Sequence, residues 1–199
     1  MYTIIFTAIA VFLFSGCTLT QPFVSEYRIN AQVKSKASDA KKCSQKSIKV
    51  AQSFSTSALA SSKMNYAKGA HKQFAYTQSE WADAPNRAIN AQIVKLLRET
   101  KLYKSVQTSK SRSASEFIVE INIEDFMQYF NEDETESYAN VLVSLTLLET
   151  ASNKVIATQT FASKMKSQTL DANGGVNALN SALEDVLAQM NVWFIGVCT

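Results

Sequence analysis

The sequence predicts an α+β fold: a mostly antiparallel sheet with two amphipathic helices packed on one face. Three observations carry this reading. First, Phe117, Val119, Ile121 and Ile123 alternate with Ile118, Glu120, Asn122 and Glu124, and Ala139, Val141, Val143, Leu145 and Leu147 repeat the period of two. A turn at Ala151-Ser152-Asn153-Lys154 sends the chain back through 155–161, so three successive strands form an antiparallel meander. Second, Ile89, Ile93, Leu96 and Leu97 fall on one helical stripe within 81–100. Third, Val176, Leu179, Leu183, Val186, Leu187, Met190 and Phe194 form another such stripe after Asn173-Gly174-Gly175, with Trp193 beside it. Two helices that each bury one stripe against a sheet make an α+β sandwich.

From the amino terminus, residues 1–16 carry no charged side chain, and 4–14 are apolar except for Thr7. These 11 residues fall short of the roughly 20 that a helix needs to cross a bilayer, and they match the core of a signal peptide. Phe14-Ser15-Gly16-Cys17 resembles a lipobox, in which small residues admit a peptidase to the bond before the cysteine. Cys17 is therefore expected to become the lipid-bearing first residue of the mature chain, with 17–25 as a short polar tether and 26–199 as a single domain. The alternative is a short buried amino-terminal helix.

In the body, Tyr27, Ile29, Ala31 and Val33 alternate with Arg28, Asn30 and Gln32, which predicts a half-buried strand over 26–33. Ile48, Val50 and Phe54 repeat the pattern more weakly. Lys63-Met64-Asn65-Tyr66 and Gln73-Phe74-Ala75-Tyr76 flank a connector with Gly69, the pattern of a hairpin. The helix that follows has Asp83 as its expected N-cap and Pro85 in its first turn, where a missing N–H costs nothing. A short strand at 103–107 and a Ser-rich break at 108–115 lead to the meander.

The net charge of +3 is too small to argue for nucleic acid. Lys34, Lys36, Lys41, Lys42, Lys46 and Lys49 cluster early, and Glu132-Asp133-Glu134-Thr135-Glu136 forms an acidic run. Both read as solvated surface, the lysines alternatively as contacts to anionic lipid headgroups. With Cys17 lipidated, Cys43 and Cys198 remain. In an oxidising compartment they stand either as a disulfide or as two separate thiols, and one sequence does not show whether they meet.

The chemistry of an enzyme is not visible. His71 is the one histidine and lies in the hairpin loop, so neither a His-rich zinc site nor a serine triad has its parts. No Gly-x-Ser-x-Gly elbow, dinucleotide fingerprint or phosphate loop occurs, and Gly174-Gly175 reads as a helix start. Asp83, Glu120, Glu124 and Asp125 are the carboxylates that could pair as acid and base, and solvated side chains are the simpler reading. The acidic run lacks the spacing and glycine of a calcium loop. No catalytic residue, metal site or cofactor is expected.

The run Tyr76-Thr77-Gln78-Ser79-Glu80-Trp81-Ala82-Asp83-Ala84-Pro85 leads into the first helix, followed by Tyr103-Lys104-Ser105-Val106, strands at 117–124 and 138–149, and a last helix closing on Trp193. Together with the lipobox, this order resembles the ABC-type transport auxiliary lipoprotein family over 27–194. That family includes the lipoprotein of the paraquat-inducible operon and lipoproteins associated with Mce-type lipid transporters. The resemblance implies a non-enzymatic periplasmic subunit of an Mce-linked intermembrane lipid transport system. Its implied partners are Mce-domain, permease and ATPase subunits, the membrane through its lipid anchor, and phospholipid. Tyr76, Trp81 and Pro85 read physically as structural, with Trp81 locking the helix start onto the sheet edge. Thr18 after the lipidated cysteine is not the aspartate that retains lipoproteins in the inner membrane, so the outer membrane is the expected place. The alternative function is a stand-alone lipid- or lipopolysaccharide-binding lipoprotein of outer-membrane assembly. It would need an apolar groove between sheet and helices, for which Met64, Tyr66, Phe126, Met127, Tyr129 and Phe130 are the candidate exposed residues.

Overall fold

The computed structural model describes residues 23–32 and 42–199. The signal segment 1–16, Cys17, most of the tether, and Lys34, Lys36 and Lys41 lie outside the described residues. Within them the chain order is β1 (Ser25–Tyr27), β2 (Ser47–Val50), β3 (Phe54–Ser55), β4 (Lys63–Lys68), β5 (Lys72–Trp81), α1 (Pro85–Thr100), β6 (Ser105–Thr108), β7 (Phe117–Phe130), β8 (Ser137–Glu149), β9 (Lys154–Lys166) and α2 (Ala172–Val197).

β7 is the spine of one sheet. Along one edge it pairs antiparallel with β8 over its whole length, and β8 pairs antiparallel with β9, so the expected meander is present. Along the other edge it takes three short strands in turn, β2, β3 and β4, all parallel to it. β6 extends the sheet beyond β2, also in parallel, and the β4–β5 hairpin carries β1 at its far side, parallel to β5. The sheet is therefore mixed, which corrects the mostly antiparallel expectation. The physical reason is that a tight turn in sequence reveals an antiparallel neighbour, whereas parallel partners are joined only through long crossovers that leave no local mark.

The alternation of β7 changes phase midway. Val119, Ile121 and Ile123 are buried, and then Phe126, Gln128 and Phe130. A β-bulge at Glu124 makes the shift: Ile123 faces Val143 while Asp125 faces Leu142, so one residue of β7 has no opposite number. The phase shift hides the continuation from a simple alternation, and β7 runs to Phe130, past the end predicted at 124.

α2 rests on β8 and β9, α1 lies against β6 and β7, and the two helices touch each other. Every member of the expected α2 stripe is buried, with Leu183, Val186, Leu187, Met190 and Phe194 at 0% exposure, and Ile89, Ile93, Leu96 and Leu97 of α1 are equally closed. Truncating one such side chain to Ala costs about 2–5 kcal/mol. Pro85 is the first helical residue, but the N-cap is Ala84 and not Asp83. Asp83 instead accepts the Ala84 N–H at 2.8 Å and pairs with Arg87, one turn into the helix. At α2 the cap is Asp171, whose carboxylate accepts the Gly174 N–H at 2.8 Å.

Of the strand expected over 26–33, Val33 lies outside the described residues, and among the rest only β1 is strand, although Ile29 and Ala31 are buried as the alternation requires. The Asn30 N–H donates to Asn180 Oδ1 and the Gln32 N–H to Glu184 Oε1, both at 2.8 Å. Two extended residues advance about 6.6 Å and one helical turn of four about 6 Å, so the segment can be sewn to the side of α2 instead of to a strand.

Candidate functional site

The aromatic run that leads into α1 is built into the frame of the molecule. Trp81 ends β5 with 4% exposure, its ring 5.7 Å from that of Phe126. Its N–H donates to Ser62 O at 2.8 Å, and the next N–H, of Ala82, donates to Tyr27 O at 2.8 Å. Trp81 thereby ties β1, the β3–β4 loop and the core together just before Pro85 starts the helix. Tyr76 lies half-buried on the same strand, and its hydroxyl donates to Gln128 Oε1 at 2.9 Å. Gln128 passes the chain on from Nε2 to Ser137 Oγ at 3.0 Å. Burial pushes the Tyr76 phenol well above its ordinary range, so it remains a neutral donor. Around it stand Tyr66 with Phe74, Tyr76 and Phe130, ring centroids 5.5, 4.7 and 5.4 Å from Tyr66. Such pairs add to the burial energy of the hairpin, and Phe74, 44% exposed, is the member open to solvent.

The space between sheet and helices, where a stand-alone lipid binder would need its apolar groove, is filled by the core side chains of both helices. A groove of about 650 Å³ opens instead on the outward-alternating residues of the sheet, lined by Thr56, Ser57, Asp125, Met127, Tyr129 and Leu142 among others. Of the apolar residues expected to be exposed, Met64, Phe126 and Phe130 are buried. The bulge turns Phe126 and Phe130 inward. Tyr66, Met127 and Tyr129 are half-buried, and the last two line the groove.

Asp125 sits in the groove wall. Its Oδ2 accepts from Tyr129 Oη and from Asn140 Nδ2, each at 2.7 Å. Burial raises its pKa, against those two hydrogen bonds and the Phe126 N–H, which lower it. Tyr129 in turn stacks on Tyr138 with centroids 5.3 Å apart, and the Lys164 ammonium stands 3.5 Å from the Tyr138 ring centre. The arrangement offers a carboxylate, a phenol and an apolar floor.

The other residues singled out from sequence are scattered. His71 is exposed in the turn between β4 and β5, and Glu120 is exposed on β7. Glu124, at the bulge, accepts from Ser144 Oγ at 2.5 Å. None of these is brought to Asp83. Among the described residues no group of three or more His, Cys, Asp or Glu is placed to hold a metal ion. In the acidic run, Glu132, Glu134 and Glu136 reach Lys72, Lys68 and Lys166 at 3.5, 2.6 and 2.8 Å. Each lysine comes from a different strand, so the run is a collar of ion pairs at the end of the β7–β8 hairpin. Of the early lysines, Lys49 donates to Ser113 O at 2.7 Å. Cys43 and Cys198 are bonded in the structure, with Cα atoms 5.3 Å apart and both residues buried.

A family of ABC-type transport auxiliary lipoprotein components matches residues 27–191. The chain belongs to this family. The family is one of auxiliary components of transport, and its lipoprotein character points to a membrane-associated place in the cell envelope and to association with transporter components. No curated protein matches the sequence. Among solved structures, a Xanthomonas campestris protein of 17% identity covers 87% of this chain and 96% of its own, with a TM-score of 0.77. An uncharacterized protein of 13% identity covers 86% and 99%, with a TM-score of 0.65. A Chlamydia trachomatis hypothetical protein of 9% identity covers 77% and 98%, with a TM-score of 0.52. At these identities the likeness is one of fold.

In this auxiliary lipoprotein, the residues that sequence reasoning missed are Gln128, Asn140 and Ser137. Gln128 is 2% exposed, and its signal was an amide at a position that the simple alternation put on the polar face. Only the bulge at Glu124 turns it inward.

Proposed function

We propose that this chain is a non-enzymatic subunit of an Mce-linked, ABC-type system that moves lipid between the inner and outer membranes. Cys17 carries the lipid anchor, and the body faces the periplasm from the outer membrane. ATP hydrolysis belongs to an ATPase partner, and lipid passage to permease and Mce-domain partners. The match of the auxiliary family over 27–191 is the observation that carries this reading. The amino-terminal lipobox and the described end of the tether support it: Phe23 and Val24 are 85% and 41% exposed, as residues resting against headgroups would be. Deletion of the gene tests it. The expected result is altered outer-membrane lipid balance and raised detergent sensitivity, restored by the wild-type chain and not by Cys17→Ala. Unchanged lipid balance and sensitivity would reject it.

A second reading, a lipid-binding lipoprotein acting alone, is favoured by the outward groove, whose roughly 650 Å³ falls within the range of small-molecule sites. Native mass spectrometry of the intact protein separates the two. A copurified lipid lost on Met127→Asp favours the stand-alone binder, and a bare protein argues against it.

A further inference from the structure

A second hollow, of about 460 Å³, lies beside α1, where the helix faces the residues after β2 and β6. Its walls bring together Arg87, Arg98 and Lys110, and no acidic residue lines it. Arg87 is already neutralised, since Asp83 accepts from its Nε and pairs with its guanidinium. The Arg98 guanidinium and the Lys110 ammonium have neither an ion pair nor a hydrogen bond among the described residues. Ala91 and Val94 supply an apolar floor.

The surrounding chain deepens the bias. Residues 95–116 hold six cations, Lys95, Arg98, Lys101, Lys104, Lys110 and Arg112, against Glu99 and Glu116. Glu116 stays ionised, since the Ser47 hydroxyl and then the Ser47 N–H, donating at 2.7 Å, hold its pKa down to about 2, but the cations of the segment still outnumber the two carboxylates. A concave site with unneutralised charge of one sign focuses the field of its neighbours onto whatever enters it.

We infer that this hollow is a binding site for a phosphate group. The Arg98 guanidinium supplies a planar fork suited to two phosphate oxygens, and the Lys110 ammonium a mobile point charge. A single carboxylate would leave most of the hollow empty, whereas a phosphodiester with its glycerol fills more of it and sets carbon against Ala91 and Val94. The source is either the headgroup of an anionic phospholipid or free phosphate. The site stands on these side chains alone and does not rest on the transport reading.

The test uses the full lipidated chain held in nanodiscs of phosphatidylcholine and titrated calorimetrically with glycerophosphoglycerol and, separately, with inorganic phosphate. Saturable binding that weakens with salt is expected, lowered at least about tenfold in Arg98→Gln/Lys110→Gln and unchanged in Lys154→Gln, an exposed lysine of β9. Circular dichroism confirms that the variants fold. Tighter binding of glycerophosphoglycerol supports the site and identifies the lipid headgroup as its source, and equal binding supports it with free phosphate. No saturable binding of either probe, or equal binding by wild type and the double variant, overturns the inference.

Discussion

The Tyr76 hydroxyl donates a 2.9 Å hydrogen bond to Gln128 Oε1, joining the hairpin to a side chain that is 2% exposed in the central strand. A buried acceptor that loses its donor costs about 1–3 kcal/mol. Tyr76→Phe should therefore lower stability by that amount in urea unfolding. In combination with Gln128→Met, which removes the orphaned acceptor, the two losses should sum to less than their separate values, the mark of a direct contact.

Three glycines separate close packing from helix propensity. A Cβ on Gly174 would lie 2.2 Å from the Thr169 carbonyl oxygen, and one on Gly175 would lie 2.0 Å from Gln128 Oε1, while around Gly196 nothing comes within 4 Å. Alanine improves an exposed helix interior by about 0.5–1 kcal/mol over glycine. Gly196→Ala should therefore stabilise the protein. Gly174→Ala should destabilise it by about 1–3 kcal/mol because backbone must move. Gly175→Ala should fall between the two, since Gln128 is a side chain but a pinned one. Thermal unfolding ranks the three.

Asp171 caps α2, and its pKa is held below the carboxylate norm by the Thr169 hydroxyl at 2.6 Å first and by the Gly174 N–H second. The stabilisation is thus present above the unfolded value of about 3.8 and is lost as pH falls through the lower folded value. Asp171→Ala should cost about 1 kcal/mol at neutral pH. The gap between wild type and variant should close in acid, which denaturation curves at several pH values will show.

Cys43 and Cys198 are joined across 155 residues of sequence. On the chain-entropy account, a loop of this length is worth roughly 5 kcal/mol. The intact protein should weigh two hydrogens less without reductant than with it, and reduction should lower its unfolding midpoint steeply. Two free thiols in the unreduced protein would remove the bridge from this account.

The parts of the fold that were legible are those whose period is local. The stripes from Ile89 to Leu97 and from Val176 to Phe194, and the alternations of Val119 to Ile123 and Ala139 to Leu147, end in the core. What was hidden depends on partners far away. The parallel seats of Ile48, Phe54 and Tyr66 along β7 leave no trace in adjacent sequence. Asn30 and Gln32 look like strand residues until Asn180 and Glu184 take their N–H groups. The single bulge at Glu124 reverses the faces of Phe126, Gln128 and Phe130, which is why the buried amide was missed and the two phenylalanines were expected to be exposed. Trp81 and Pro85 were readable as structural, because a large ring and a first-turn proline have few other uses at a helix start.

The central claim is that this lipoprotein works by contact with a transporter. The most direct measurement is quantitative mass spectrometry of the full chain purified from its native membrane after mild in-cell crosslinking. The account predicts stoichiometric recovery of an Mce-domain protein or of an ABC permease and its ATPase. Recovery of the chain free of every transport subunit, with the crosslinks confined to itself, would contradict it.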